Sequence, residues 1–365
     1  DGSTMEYDTG DYPECQKRVM ELAGWNDFPA RQAQARSEGR FIGMGLANYV
    51  EATGRGPFES VSIRISPSGQ IIAATGATAQ GQGVKSMVAQ IAADQLGISA
   101  SDVQVVVGDT QLTPSGLGAY ASRQAVMAGN AAHCAALAIV EKIKIAAGAI
   151  MEAQPQDLEL SQGRVHLKGV PDHGKSLAEI ARALAGAPGF ALPGNLPPGL
   201  FANSDYMANG LTYTNGSHIC EVEVEPATGT VRILRYVVMH DCGRMINPMM
   251  VEGQIIGGVV HGIGATLFEW MRYDAQGQPL SVTYADYLLP TSDVVPRIEI
   301  HHMESPTPLN PLGVKGAAES GTIGAPAVIV SAIEDALRPF DIKITELPVT
   351  PARLRKLLRD KRAAQ

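Results

Sequence analysis

The chain is 365 residues long with a formal net charge of −8; 45 % of its residues are hydrophobic, 18 % charged and 5 % aromatic, beside 39 glycines and 23 prolines. That length allows two or three cored domains of an ordinary globular protein. No block of like charge offers nucleic acid or an anionic membrane an electrostatic footprint, and no run of about 18 uninterrupted apolar residues is present to span a bilayer.

Residues 1–40 are polar and mixed, with a helix expected over 13–23, and read as the tail of a preceding domain. From Arg40 the pattern changes. Residues 41–51 and 59–65 read as strands, the second alternating Val61, Ile63 and Ile65 with polar neighbours. A turn at 66–69 and the run 70–74 complete a hairpin. A glycine-rich loop, 76–83, then enters a helix in which Val84, Met87, Val88 and Ile91 share one face and Gly97 marks the stop. A short buried strand at 103–107, a second loop at 108–123 and a long helix of small residues at 124–153 follow.

Residues 158–167 read as a hairpin, Ser176 and Glu179 as a capping box, and 187–200 as an irregular excursion. Residues 219–224 and 231–239 form a further hairpin about the turn 226–229. A second glycine-rich helix start is expected at 253–268, with strands near 280–287 and 298–302. A third glycine-rich loop, 313–325, feeds a helix at 326–337, and Thr350 opens a terminal amphipathic helix. The fold class expected is α+β, with mixed sheets and helices packed on them.

The start of the chain shows no leader pattern and no initiator Met, as expected of a fragment, a processed piece or one half of a split subunit. Cys15, Cys134, Cys220 and Cys242 are scattered without metal-ligand spacing, which points to a reducing cytoplasm, to no side-chain metal site, and to any iron–sulfur cluster lying on another chain.

Strand, glycine loop, helix N-terminus is the recurrent theme. Each such start offers unpaired backbone N–H groups and the positive end of a helix dipole, which suits phosphate, and glycine lets the main chain approach a ligand. Neither a dinucleotide GxGxxG after the first strand nor a P-loop is present. His301-His302 cannot jointly ligate a metal if both lie in a strand, because neighbours face opposite ways. His240-Asp241-Cys242 has the residue types of a nucleophilic constellation, but consecutive residues do not easily form a triad.

Four segments occur in an order that resembles a known family: Ala79-Gln-Gly-Gln-Gly83; His240-Asp-Cys-Gly243 with Ile246-Asn-Pro248; Gly253-Gln254 with Gly262-Ile-Gly264; and Pro308-Leu-Asn-Pro-Leu-Gly-Val-Lys-Gly-Ala-Ala-Glu319. Over residues 40–355 they are similar to the C-terminal part of the molybdenum-binding subunit of the xanthine oxidase, aldehyde oxidase and aerobic carbon monoxide dehydrogenase family. The resemblance implies two molybdopterin-binding subdomains, 41–190 with the cofactor loops and 191–365 with the catalytic glutamate. It implies that Gln80, Gly81, Gln82, Ala119, Ala121, Ser122, Arg123 and Gln254 contact a molybdenum–pyranopterin, in its cytosine dinucleotide form, and that Glu319 is the base beside the metal. A carboxylate within hydrogen-bond reach can take the proton of the attacking water-derived oxygen.

The implied reaction is oxidative hydroxylation of an aldehyde or N-heteroaromatic substrate with water as the oxygen source. Its electrons would pass to [2Fe–2S] clusters and FAD on partner subunits, and the upstream half of the molybdenum subunit would complete the site. A reductive dehydroxylase using the same site, or a non-catalytic cofactor-carrying subunit, stays open. Two departures stand out. Alanine, Ala318, precedes the glutamate where the family has glycine, so a positive φ there would be strained. His261 stands where the family commonly has glutamine, and a lone His among Gly and Val is more often a packed residue.

Overall fold

The computed structural model describes residues 2, 4–113 and 115–364. In chain order the elements are α1 (Tyr12–Ala23), α2 (Phe28–Ser37), β1 (Phe41–Thr53), β2 (Glu59–Ile65), β3 (Ile71–Thr75), α3 (Val84–Leu96), β4 (Val103–Val107), α4 (Asn130–Met151), β5 (Leu158–Ser161), β6 (Arg164–Leu167), β7 (Gly174–Ser176), α5 (Leu177–Ala185), β8 (Leu200–Tyr206), β9 (Thr212–Glu225), β10 (Thr230–Asp241), α6 (Pro248–Leu267), β11 (Ile298–Met303), α7 (Ser320–Ala336) and α8 (Pro351–Ala364). The class is α+β, as the sequence indicates.

The larger sheet runs β1-β9-β10-β11. Strands β1, β9 and β10 are antiparallel neighbours, whereas β11 lies parallel to β10 after a crossover that includes α6. Both faces of this sheet are covered. Helices α1 and α2 bring Cys15, Val19, Phe28 and Ala35 against Ile42, Met44, Ile219 and Val237 on one side. On the other, α6, α7 and α8 bury Ile255, Val259, Ile329, Ile333 and Leu354 against Val222, Tyr236 and Val238. The second sheet, β4-β3-β2-β8, carries α3, α4 and α5 and a core built on Ile63, Ile65, Val88, Ile139 and Ile180. A small third sheet, β5-β6-β7, adjoins it.

Helix α7 lies unusually close to β1 because Gly43 and Gly45 share one face of the strand. A Cβ at Gly43 would run into the backbone of Ala332 and Ala336, and one at Gly45 into that of Val328 and Ala332. The same closeness joins the two helices, since a Cβ on Gly258 would stand 2.9 Å from the Gly321 Cα.

Several expectations need correction. Residues 1–40 are not a detached tail: α1 and α2 form one layer of the larger sheet's core. The sheets do not follow a break at 190, because β1 pairs with β9 and β8 pairs with β2. Helix α6 begins at Pro248, where Asn247 caps it by accepting from Met250 N at 3.1 Å and proline takes the first position. Helix α7 begins at Ser320 and carries Pro326 inside it. Residues 280–287 form bends and turns rather than a strand, with Val282 and Tyr284 exposed. The loop expected at 108–123 is irregular on both sides of Pro114, which lies outside the described residues.

Gly45→Val is expected to lower the unfolding free energy by about 1–3 kcal/mol or more, because the helix cannot move away from the strand without losing its own core. Gly257→Ala, on an exposed helix position with nothing within 4 Å of the new Cβ, is expected to be neutral or stabilising by up to about 1 kcal/mol. Urea unfolding of both variants checks this, and equal midpoints would remove the close-packing argument.

Candidate functional site

The glycine-rich segments that lie apart in the sequence meet at one cavity of about 490 Å³. Its walls are the loop 80–83 with the first turn of α3, the segment 119–125, the connection 242–247 with α6, and the run 314–319. Gln80, Gly81, Gln82, Ala119, Ser122, Arg123, Gln254 and Glu319 all line it; Ala121, also expected at the site, does not.

Glu319 occupies the N-cap position of α7 but makes no capping hydrogen bond. Its carboxylate turns to Ser122 instead: Ser122 Oγ donates to Glu319 Oε2 at 2.8 Å, and Glu319 N donates to Ser122 Oγ at 3.2 Å. An ordinary first-turn carboxylate serving the helix dipole would not be held this way. Gly316 permits the approach, since any Cβ there would meet Ser122 and Thr53. Ala318 does not adopt a positive φ, so the strain expected of alanine at that position does not arise. Strain sits across the cavity instead, where Ala121 and Ser122 have φ of 47° and 46°. Left-handed alanine and serine cost about 1–2 kcal/mol each and persist only where surrounding structure holds them.

Arg123 provides that hold. Its side chain and that of Glu59 are both 0 % exposed, with Nη1 2.6 Å from Glu59 Oε2. Three more of its N–H groups donate to the carbonyls of Arg55, Phe58 and Gly118 at 2.5–2.7 Å. The guanidinium is therefore committed to protein, and Arg123 meets the cavity as a clip that shapes its wall. Gln82 is similarly occupied: its Oε1 accepts from Gln80 N at 2.7 Å and its Nε2 donates to the Thr78 carbonyl at 2.9 Å.

Four further residues were not legible as site residues. Gln124 lines the cavity with Nε2 donating to the Gly118 carbonyl, while its buried Oε1 has no partner. Arg244 brings an exposed guanidinium to the lining. Lys315, 1 % exposed, donates to the carbonyls of Thr9 and Tyr213 and stands 3.7 Å from Asp8, which ties the N-terminal segment to the glutamate loop. Glu51, on β1, lies behind Glu319. A signal for it existed: Tyr49, Glu51 and Thr53 alternate along one strand, placing a carboxyl in register with two buried residues.

Cys242 lines the cavity, but burial pushes its thiol up to about 12, which removes it as a nucleophile. His240 is buried, bonded through Nδ1 to the Tyr49 hydroxyl at 2.9 Å, and burial pulls it down to about 3. His261 lies on the exposed side of α6, outside the lining. Among the described residues no group of three or more His, Cys, Asp or Glu could hold a metal.

The lining suits a large heteroaromatic ligand of mixed polarity. The volume is in the range of small-molecule pockets, backbone faces it through small residues, and the orphaned Gln124 acceptor calls for an N–H donor.

Comparison with known proteins agrees. Residues 18–296 match the family model described as a molybdopterin cofactor-binding domain. The chain is 39 % identical over 349 residues to subunit gamma of the 6-hydroxypseudooxynicotine dehydrogenase complex of Paenarthrobacter nicotinovorans, covering 95 % of this chain and 44 % of that protein. Among solved structures, reconstituted CO dehydrogenase from Oligotropha carboxidovorans superposes with a TM-score of 0.89 at 34 % identity, covering 99 % of this chain and 46 % of the other. Quinoline 2-oxidoreductase from Pseudomonas putida 86 superposes with a TM-score of 0.85 at 38 % identity, covering 96 % and 46 %. The chain thus spans slightly less than half the length of these relatives.

Glu59→Gln keeps the side-chain shape but leaves the Arg123 charge buried without a counter-charge. It is expected to destabilise the chain by about 3–5 kcal/mol and to expose residues 115–123 to protease. Chemical denaturation and limited proteolysis read these; a wild-type midpoint with an unchanged digest would refute the clip.

Proposed function

The chain belongs to the molybdopterin cofactor-binding domain family, and from that premise we propose that it is the part of a molybdenum-dependent hydroxylase that clasps the pyranopterin and supplies the base, Glu319. One observation carries the reading: the Glu319 carboxylate is turned away from capping α7 and held by Ser122 on the wall where the glycine-rich segments converge. The reaction is R–H plus water giving R–OH, two electrons and two protons.

When bound, the molybdenum cofactor supplies the two-electron acceptor. The protein's part is to bind, orient and move a proton. Ser122 occupies Oε2 of Glu319, so Oε1 is the atom that accepts a proton from the water-derived nucleophile. Gln254, Gln80 and the unpartnered Oε1 of Gln124 offer the mixed donors and acceptors a pterin edge requires. Backbone at Gly81 and Ala119 borders the same ligand, whereas Ala121 acts from behind the lining through the left-handed turn that places Ser122. Gln82 contributes by pinning its own loop. Arg244 and the amides at the start of α3 suit the cofactor's phosphate, and the cytosine dinucleotide form is the one we propose. The upstream half of the subunit closes the other side, and iron–sulfur and FAD subunits take the electrons. Quinoline 2-oxidoreductase and the 6-hydroxypseudooxynicotine dehydrogenase complex are both named for compounds with an aromatic nitrogen ring, which favours an N-heteroaromatic substrate over an aldehyde.

Glu319→Gln in the assembled complex is expected to lower kcat by about 10²–10⁴-fold at unchanged molybdenum content. Wild-type turnover at full occupancy would rule out the base. Gln82→Ala combined with Gln254→Ala is expected to reduce molybdenum recovered per complex on purification; undiminished occupancy would remove both from cofactor binding.

A further inference from the structure

Behind the cavity wall a second carboxyl backs onto Glu319. Along β1, Tyr49 and Thr53 are buried on one face, and Thr53 Oγ1 accepts from Gly316 N at 2.9 Å, so this end of the strand lies against the glutamate loop. Glu51 sits between them on the same face. Glu319, Ser122 and Ser320 are the groups that neighbour its carboxyl. Glu51 Oε2 is buried without a partner, and so is the hydroxyl of Ser320, itself 0 % exposed. The groups facing Glu51 from the packed elements are Glu319 and Ser320 at the start of α7, Ser122 from the segment opposite, and the Tyr49 phenol on its own strand. None is a cation. The nearby Lys315 ammonium is committed to Thr9, Tyr213 and Asp8.

Two carboxylates side by side in a partly dry site cannot both ionise cheaply, and their titrations belong to the pair. We infer that Glu51 and Glu319 share one proton, which resides on Glu51 and is donated in a hydrogen bond to Glu319, so that Glu51 is a positioning residue that keeps the base ionised and aimed. This rests on the reading of Glu319 as the base. Burial pushes the Glu51 carboxyl up to about 7, and the Glu319 charge adds to the rise while Ser122 and Ser320 oppose it. The sign follows: Glu51 holds its proton below about pH 7 and loses it above, where its new charge is repelled by its carboxylate neighbour.

The experiment uses the assembled holoenzyme, by infrared titration and by the pH profile of kcat. In the wild type a protonated-carboxyl band should disappear with a midpoint near 7, and kcat should inflect at the same pH. Glu51→Gln, which mimics the neutral donor, should abolish both while retaining turnover within about three-fold at pH 6, since it keeps the hydrogen bond. Glu51→Leu, which cannot donate, should lower kcat about ten-fold. A wild-type complex without such a band, or Glu51→Gln retaining band and inflection, overturns the shared proton. Glu319→Gln separates the two claims. If it turns over normally while the Glu51 band still moves to lower pH, the base is wrong and the proton sharing stands.

Discussion

Contact between backbones, through positions that lack a side chain, is the constraint on which the site depends. Helix α7 rests on β1 at Gly43 and Gly45 and on α6 where Gly258 meets Gly321 and Gly262 meets Ala325. Glycine within strands and helices costs about 0.5–1 kcal/mol per position relative to alanine. The return is close approach: Val328, Ile329, Ala332 and Ile333 become fully buried beneath the sheet. Because α7 begins at Ser320, this seating also fixes where Glu319 stands. The position of Glu319 is thus set from the buried side of the helix, by residues outside the cavity lining.

The opposite wall works by another balance. Ala121 and Ser122 are held left-handed at about 1–2 kcal/mol each, and without that turn Ser122 Oγ would not reach both the amide and the carboxylate of Glu319. The buried Arg123–Glu59 pair immediately follows the strained residues and anchors them through three carbonyls as well as a carboxylate. Losing one partner of such a pair costs about 3–5 kcal/mol, enough to match the combined strain of the two residues it restrains. The loop therefore keeps its shape without regular secondary structure.

Much of this was legible in the sequence where local physics decides. The face of α3 and its stop at Gly97, the capping box of Ser176 and Glu179, and the turn between β9 and β10 all appear where expected. The lining residues were found through motif resemblance rather than local pattern. What was missed depends on tertiary partners. The start of β9, Thr212–His218, has no apolar alternation, yet it is buried between β1 and β10. Residues 280–287 alternate like a strand yet pair with none of the described strands. Pro326 reads as a helix start, but contacts through Gly321 extend α7 ahead of it. Arg123 and Gln82 read as ligand contacts, and only the structure reveals their donors already engaged.

The histidines, the thiol and the phenol buried behind the site are kept neutral. Burial pulls His218 and His240 down to about 3, pushes the Cys242 thiol up to about 12 and carries the Tyr49 phenol well above its ordinary range. The histidines are paired with tyrosine hydroxyls at 2.9 Å, an arrangement that suits neutral rings. Near neutral pH, groups tuned this far exchange no protons. On the proposal that Glu319 is the base, proton exchange beside the cavity falls to it and to Glu51. On that reading the base is backed by the Glu51 carboxyl and set apart from the neutral histidine–tyrosine pairs that pack β1, β9 and β10.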